Sequence, residues 1–193
     1  MAMYKYPPLP GKGYIRTLTL HPGQFDDELV ISLADMAFSD SHHDYEALSY
    51  VWGSEGTPEP VGVGTSDGPV LLATQNLAVA LRHLRHAERP RFLWIDALCI
   101  NQKNDEEKGP QVAMMGDIYR RAARVIAWLG PAKDDSDHAM ERFEYLGLQV
   151  DVDWTTAAAI KPIDGCVDSS LGELSTELPF DSRGMTAIYH LQS

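Results

Sequence analysis

Arg91-Phe92-Leu93-Trp94-Ile95-Asp96 follows Pro90, and its apolar residues run on without a polar break. A strand with one wet face alternates. A strand covered on both faces, as in a parallel sheet under helices, reads as a continuous apolar run. Arg124-Val125-Ile126-Ala127-Trp128-Leu129 repeats the pattern and stops at Gly130-Pro131. Tyr45-Glu46-Ala47-Leu48-Ser49-Tyr50-Val51-Trp52 is a third predicted strand, stopped by Gly53. Helical periodicity lies between and after these strands. Thr74 offers an N-cap, and Leu77, Ala80, Leu81 and Leu84 form a stripe with Arg82 and Arg85 opposite. That helix is expected to end near Ala87. A second helix is expected to carry Val112, Met115, Tyr119 and Ala122 on one face, starting either at Pro110 or earlier under an Asn104 cap, and a third to run over residues 134–148. Strand and helix in alternation predict an α/β fold, a mostly parallel sheet flanked by helices.

Outward from this core the signals change. Tyr14-Ile15-Arg16-Thr17-Leu18-Thr19-Leu20 alternates, as a half-buried strand does. Leu29-Val30-Ile31-Ser32-Leu33 is a second short strand, and the two are expected to pair as an N-terminal antiparallel β-ribbon. Residues 1–13 read as a Pro/Gly-rich lead-in, and residues 60–72 as one or two short strands. The reading places one domain over 14–150. Residues 151–193 are read as an acidic, weakly structured tail or the cut edge of a longer continuation.

The net charge of −12 over 193 residues is uneven. Residues 1–130 hold 12 basic against 16 acidic side chains, and residues 131–193 hold 4 against 12. Binding to nucleic-acid phosphates or an anionic membrane needs a basic surface, so neither partner is expected. The two cysteines, Cys99 and Cys166, form neither a zinc pattern nor a disulfide framework. No apolar run reaches the length of a membrane span. The expectation is a cytoplasmic protein. The histidines, His42-His43 and the pair His83 and His86 included, show no complete ligand pattern, so no metal is expected. Phe92, Trp94, Trp128 and Met114-Met115 are read as core.

In open α/β sheets, ligands bind beyond the carboxyl ends of the strands. Tyr50, Trp52 and Gly53 end one predicted strand. Asp96, Asn101 and Gln102 end or follow another, and Glu106 and Glu107 come next. A carboxylate closing an apolar strand must find partners, because burying it alone is costly. Trp52 is either core or a platform for a flat ring. Ser49 and Cys99 sit in no nucleophile elbow and beside no histidine, so neither is read as a nucleophile.

Three blocks, in order, carry a resemblance. They are Tyr45 to Gly53; Leu93-Trp94-Ile95-Asp96-Ala97-Leu98-Cys99-Ile100-Asn101-Gln102 with Asp105-Glu106-Glu107-Lys108 and Gln111-Val112; and Met115-Gly116-Asp117-Ile118-Tyr119 leading to Ala123 through Gly130. The linking piece Thr74-Gln75-Asn76-Leu77 with Leu81 to Arg85 also fits. Together they resemble the fungal heterokaryon-incompatibility (HET) domain over about residues 45–130. That family is thought to be remotely related to TIR domains, which are flavodoxin-like, and several TIR domains cleave NAD at the nicotinamide–ribose bond.

The resemblance implies self/non-self recognition and programmed cell death, with no resident cofactor and NAD as the substrate. Nicotinamide in NAD is already cationic and leaves without a proton, so a single carboxylate facing the ribose suffices. By analogy with TIR enzymes, Glu107 is the expected catalytic carboxylate, with Glu106 one residue away as its rival. Tyr50, Trp52, Gly53, Asp96, Asn101 and Gln102 are the expected substrate contacts. A competing reading makes Glu107 part of a capping box with Asn104. The competing function is a non-enzymatic death-signalling module that acts by self-association.

Overall fold

The structure, a computed structural model, describes residues 1–39, 44–53, 56–133, 136–153 and 159–162. The chain divides into two compact units, Met1–Gly130 and Pro131–Ser193. In the first unit the strands are β1 (Tyr14–Leu20), β2 (Val30–Ala37), β3 (Glu46–Tyr50), β4 (Glu59–Val63), β5 (Val70–Ala73), β6 (Arg91–Trp94) and β7 (Arg124–Trp128). Its helices are α1 (Gln75–Leu84), α2 (Asp96–Cys99) and α3 (Asp105–Arg121). The second unit holds α4 (Ser136–Gly147) and the antiparallel pair β8 (Val150–Asp153) and β9 (Ala159–Pro162). Residues 154–158 and 163–193, most of the expected tail, lie outside the described residues, as do His42 and His43.

The seven strands form one sheet in the order β5-β4-β2-β1-β6-β3-β7. β3 lies parallel to both β6 and β7. In chain order these three strands sit second, first, third, which is how the flavodoxin strand order begins. The α/β expectation therefore holds. The expected ribbon is present, since β1 and β2 pair antiparallel over their length. It is not an appendage, however. β1 also pairs antiparallel with β6 and so joins the ribbon into the main sheet.

The pleat places the helices on opposite faces. Residues in register share a face, and faces alternate along a strand. Trp94 is in register with Ala47, and its ring meets Tyr119 of α3 edge-on at 5.6 Å. Trp128 is in register with Tyr50, an odd number of residues further along β3, and its ring meets His83 of α1 at 5.0 Å.

Thr74 caps α1 as expected, its hydroxyl accepting from the Leu77 amide at 3.3 Å. The helix buries Leu77, Ala78, Ala80, Leu81 and Leu84. It ends at Leu84, short of the expected Ala87, because Arg85 turns extended and its guanidinium collects the carbonyls of Gln24, Phe25, Asp27 and Glu28.

Of the two starts open for α3 the structure has the earlier. It begins at Asp105, not Pro110, under an Asn104 cap whose side chain accepts from the Glu106 amide at 3.1 Å. Its core face runs through Gln111, Met114, Met115, Ile118, Tyr119 and Ala122, while Val112 is 48% exposed. Phe92, read as core, is 52% exposed. Trp94 is fully buried, as read. The lead-in also earns structure. Tyr4 and Val70 are linked by a backbone hydrogen bond of 2.8 Å, and the Tyr6 hydroxyl donates to the Leu98 carbonyl at 3.0 Å.

Candidate functional site

The reversal in the order of β6, β3 and β7 falls between β3 and β7, and it is outside the carboxyl ends of the strands at such a reversal that open α/β sheets bind their ligands. Tyr50 closes β3, Trp128 closes β7, and Asp96 follows β6. The N-terminus of α1 arrives at the same edge. The Asn76 amide donates to the Val51 carbonyl at 2.6 Å, and its oxygen accepts from the Trp128 indole at 3.1 Å. Asn76 thus joins the ends of β3 and β7. Gly53 lets the chain turn away after Trp52, at a φ of 76° that favours glycine.

Four of the expected contacts gather here. The Trp52 indole donates to Asp96 Oδ2 at 3.1 Å, and the Ala97 amide donates to Asp96 Oδ1 at 2.8 Å. Gln102 Nε2 donates to the Asp96 carbonyl at 2.9 Å. Tyr50 lies within the field of the Asp96 charge, as does Tyr119. The Tyr119 hydroxyl donates to the Leu48 carbonyl at 3.0 Å. The Tyr50 hydroxyl is buried and has no hydrogen-bond partner among the described residues.

Burial pushes the Asp96 carboxyl above its ordinary range, and the hydrogen bonds from Trp52 and Ala97 only partly oppose this. Burial, reinforced by Asp96, pushes the Tyr50 phenol up as well. Among the described residues, no lysine or arginine forms an ion pair with Asp96.

Asn101 and Glu107 belong to a different constellation. Glu107 is not in a loop before the helix; it lies in the first turn of α3. It does not reach back to Asn104 either, so the capping-box reading falls with the loop reading. Its carboxylate accepts from Arg16 Nη1 at 2.5 Å and Nη2 at 2.9 Å, and from the Asn101 amide at 2.9 Å. Arg16 donates further to the carbonyls of Cys99 and Pro7, at 3.1 and 2.8 Å, and lies over the Tyr6 ring.

Burial raises the Glu107 carboxyl, but the bonds from Arg16 and Asn101, with the Arg16 charge, outweigh it and hold the group below its ordinary range. Both oxygens are occupied by protein. Glu106 is exposed. Cys99 is fully buried, and burial pushes its thiol up to about 12, far from the thiolate a nucleophile needs.

Sequence reading missed Arg16, Asn76 and the site role of Trp128. Arg16 left one signal: it shares the phase of Leu18 and Leu20, the buried phase of β1. A charge in an apolar phase demands a buried partner. Among the described residues no group of acidic, histidine and cysteine side chains is arranged to hold a metal. No helix of the described residues is long and apolar enough to cross a membrane.

A family model described as "Heterokaryon incompatibility protein (HET)" matches residues 45–173. The match begins at Tyr45, whose hydroxyl ties the start of β3 to the Ile118 carbonyl of α3 at 2.8 Å. Heterokaryon incompatibility protein 6, OR allele, of Neurospora crassa is 41% identical over 147 residues, covering 70% of this chain and 22% of the relative. The chain thus spans less than a quarter of that relative's length. No solved structure gives a significant match.

Proposed function

The chain belongs to the heterokaryon incompatibility family, and on that premise we propose that it is the HET unit of a fungal incompatibility protein, acting in self/non-self recognition and the cell death that follows. The proposed chemistry is hydrolysis of NAD to nicotinamide and ADP-ribose. The observation that carries it is Asp96: a half-buried carboxylate at the carboxyl ends of parallel strands, touching Trp52 and holding no basic partner among the described residues.

In this reading the bond between ribose C1′ and the nicotinamide nitrogen breaks, and its electron pair neutralises the ring. Asp96 faces the oxocarbenium that forms. Water adds to C1′ and releases one proton. Glu107 is a positioning residue here. With both oxygens on Arg16, it holds Asn101 and the loop that follows α2 in place.

Nicotinamide release from NAD by the purified chain, over a range of protein concentrations, tests this. The Asp96→Asn variant, folded by circular dichroism, is expected to lose release. No release from folded wild-type protein at any concentration, or full release from Asp96→Asn, overturns the assignment.

One observation favours a second reading, self-association without turnover. β7 closes the sheet with no strand beyond it among the described residues, and Val125 and Leu129 are half-exposed along it. Such an edge pairs readily with another chain. Sedimentation that stays monomeric at high concentration would remove this reading.

A further inference from the structure

A half-buried carboxylate ordinarily has a cation beside it, because an uncompensated charge out of water is costly. Two other largely buried carboxylates follow that rule: Glu107 of α3 has Arg16, and Glu46 of β3 has Arg91 and Arg124. Asp96 does not. Among the described residues its oxygens take the Trp52 indole N–H, the Ala97 amide and its own backbone amide, and no cation.

Beside it Trp52 is 47% exposed, and the Tyr50 hydroxyl is buried without a partner among the described residues. The neighbouring rings have other occupations, with Trp128 on Asn76 and His83, and Tyr119 on Leu48 and Trp94. Among the described residues, the strand ends therefore present one exposed aromatic side chain next to a negative charge that has no basic partner.

We propose that Trp52 and Asp96 form a subsite for a flat cationic ring of the N-alkylpyridinium type. The ring stacks on the indole and supplies the counter-charge that Asp96 lacks. The choice of pyridinium over other cationic rings rests on the NAD reading above. The chemistry of the site itself argues for the rest. A quaternary ammonium is held by a cage of several aromatic faces, and among the described residues Trp52 is the one exposed aromatic side chain of this cluster. A phosphate would meet the Asp96 charge and is excluded from this subsite.

The same geometry distinguishes substrate from product. The pyridinium ring is cationic while bonded to ribose and neutral once released. Asp96 therefore attracts the bound form and loses its hold on the product, while the positive charge that moves to the ribose stays beside it.

Calorimetric titration of the 193-residue chain with N1-methylnicotinamide, neutral nicotinamide and tetramethylammonium tests the subsite. The cationic ring is expected to bind about tenfold more tightly than either of the others. Asp96→Asn, which removes the charge but keeps the side chain's size, should erase the preference for the cationic over the neutral ring. Trp52→Ala should weaken both rings. If that variant unfolds, Trp52→Phe, which keeps a ring but no N–H, should retain the preference at lower affinity.

Equal affinity for the neutral and cationic rings overturns the proposal, as does a preference that survives Asp96→Asn. Selective binding of the cation without release of nicotinamide from NAD leaves the subsite standing and removes the cleavage reading. Release from NAD with no charge preference does the reverse.

Discussion

Arg16 of β1 holds both carboxylate oxygens of Glu107 of α3, across 91 residues of sequence. The Arg16 side chain is 1% exposed and that of Glu107 9%. Through Pro7, Cys99 and Asn101 the same pair gathers the N-terminal segment, α2 and the loop before α3.

Removing one partner of a buried pair strands the other charge, so Glu107→Ala is expected to lose about 3 kcal/mol of stability or more in urea denaturation. The double variant Arg16→Met/Glu107→Leu should recover much of this. The pair also predicts an acid limb. The folded Glu107 carboxyl lies below its ordinary 4.5. As pH falls, the unfolded chain takes up the proton first. Stability present at neutral pH therefore begins to fall near 4.5 and is gone below the folded value. A Glu107→Gln variant, measured over the same range, should show a flatter limb. An unchanged limb would place the acid sensitivity elsewhere.

Asp96 predicts the opposite sign. Its folded carboxyl is raised above the ordinary 3.8, so the native state keeps its proton to higher pH than the unfolded chain does. Ionisation therefore costs stability, beginning above 3.8 and complete above the folded value. Asp96→Asn should melt at or above the wild-type temperature at neutral pH, and the gap should close well below 3.8. A variant markedly less stable at neutral pH would mean that the carboxylate supports the fold.

Gly53→Ala tests the turn that delivers Trp52. Among the described residues the added Cβ would meet the Asn76 Cβ, at 3.6 Å, which is ordinary contact. The cost is then the left-handed backbone alone, about 1 kcal/mol. Denaturant midpoints of Gly53→Ala and Gly53→Asn should rank asparagine as the milder change.

Glu46 ties the amino ends of the parallel strands together, accepting from Arg91 Nε at 2.5 Å and from Arg124 Nε. Burial raises its carboxyl, but the two arginines together hold it below the ordinary range. Glu46→Gln is expected to cost about 2 kcal/mol. The arginines should not be equal. Arg91 is 12% exposed and also donates to the Leu84 carbonyl at 2.8 Å, whereas Arg124 is 64% exposed. Arg124→Ala should cost about 0.5 kcal/mol and less in high salt, and Arg91→Ala clearly more. Equal costs in thermal melts would contradict this division.

Particular residues mark how far the sequence could be read. Thr74 and the stripe from Leu77 to Leu84 were legible because a cap and a 3.6-residue period are local. The strand around Leu93 and Trp94 was legible because burial on both faces removes alternation. Gly53 was placed at the end of β3 for an equally local reason. The start of α3 was open in the sequence because Pro110 suits a first turn as well as Asn104 suits a cap; packing decided for Asn104.

By itself the sequence determined the main strands and helices of the first unit, their order, and which end of the sheet gathers Tyr50, Trp52 and Asp96, though not the short α2 or the pair β8 and β9. Only the tertiary structure decided that β1 enters the sheet beside β6, that Glu107 is bound to Arg16, and that Asp96 keeps the Trp52 indole but no basic partner among the described residues. Element type follows from patterns repeated within a few residues. Which strand edges meet, and which buried charge finds a counter-charge, depends on distances between segments far apart in the chain, which exist only once it is packed.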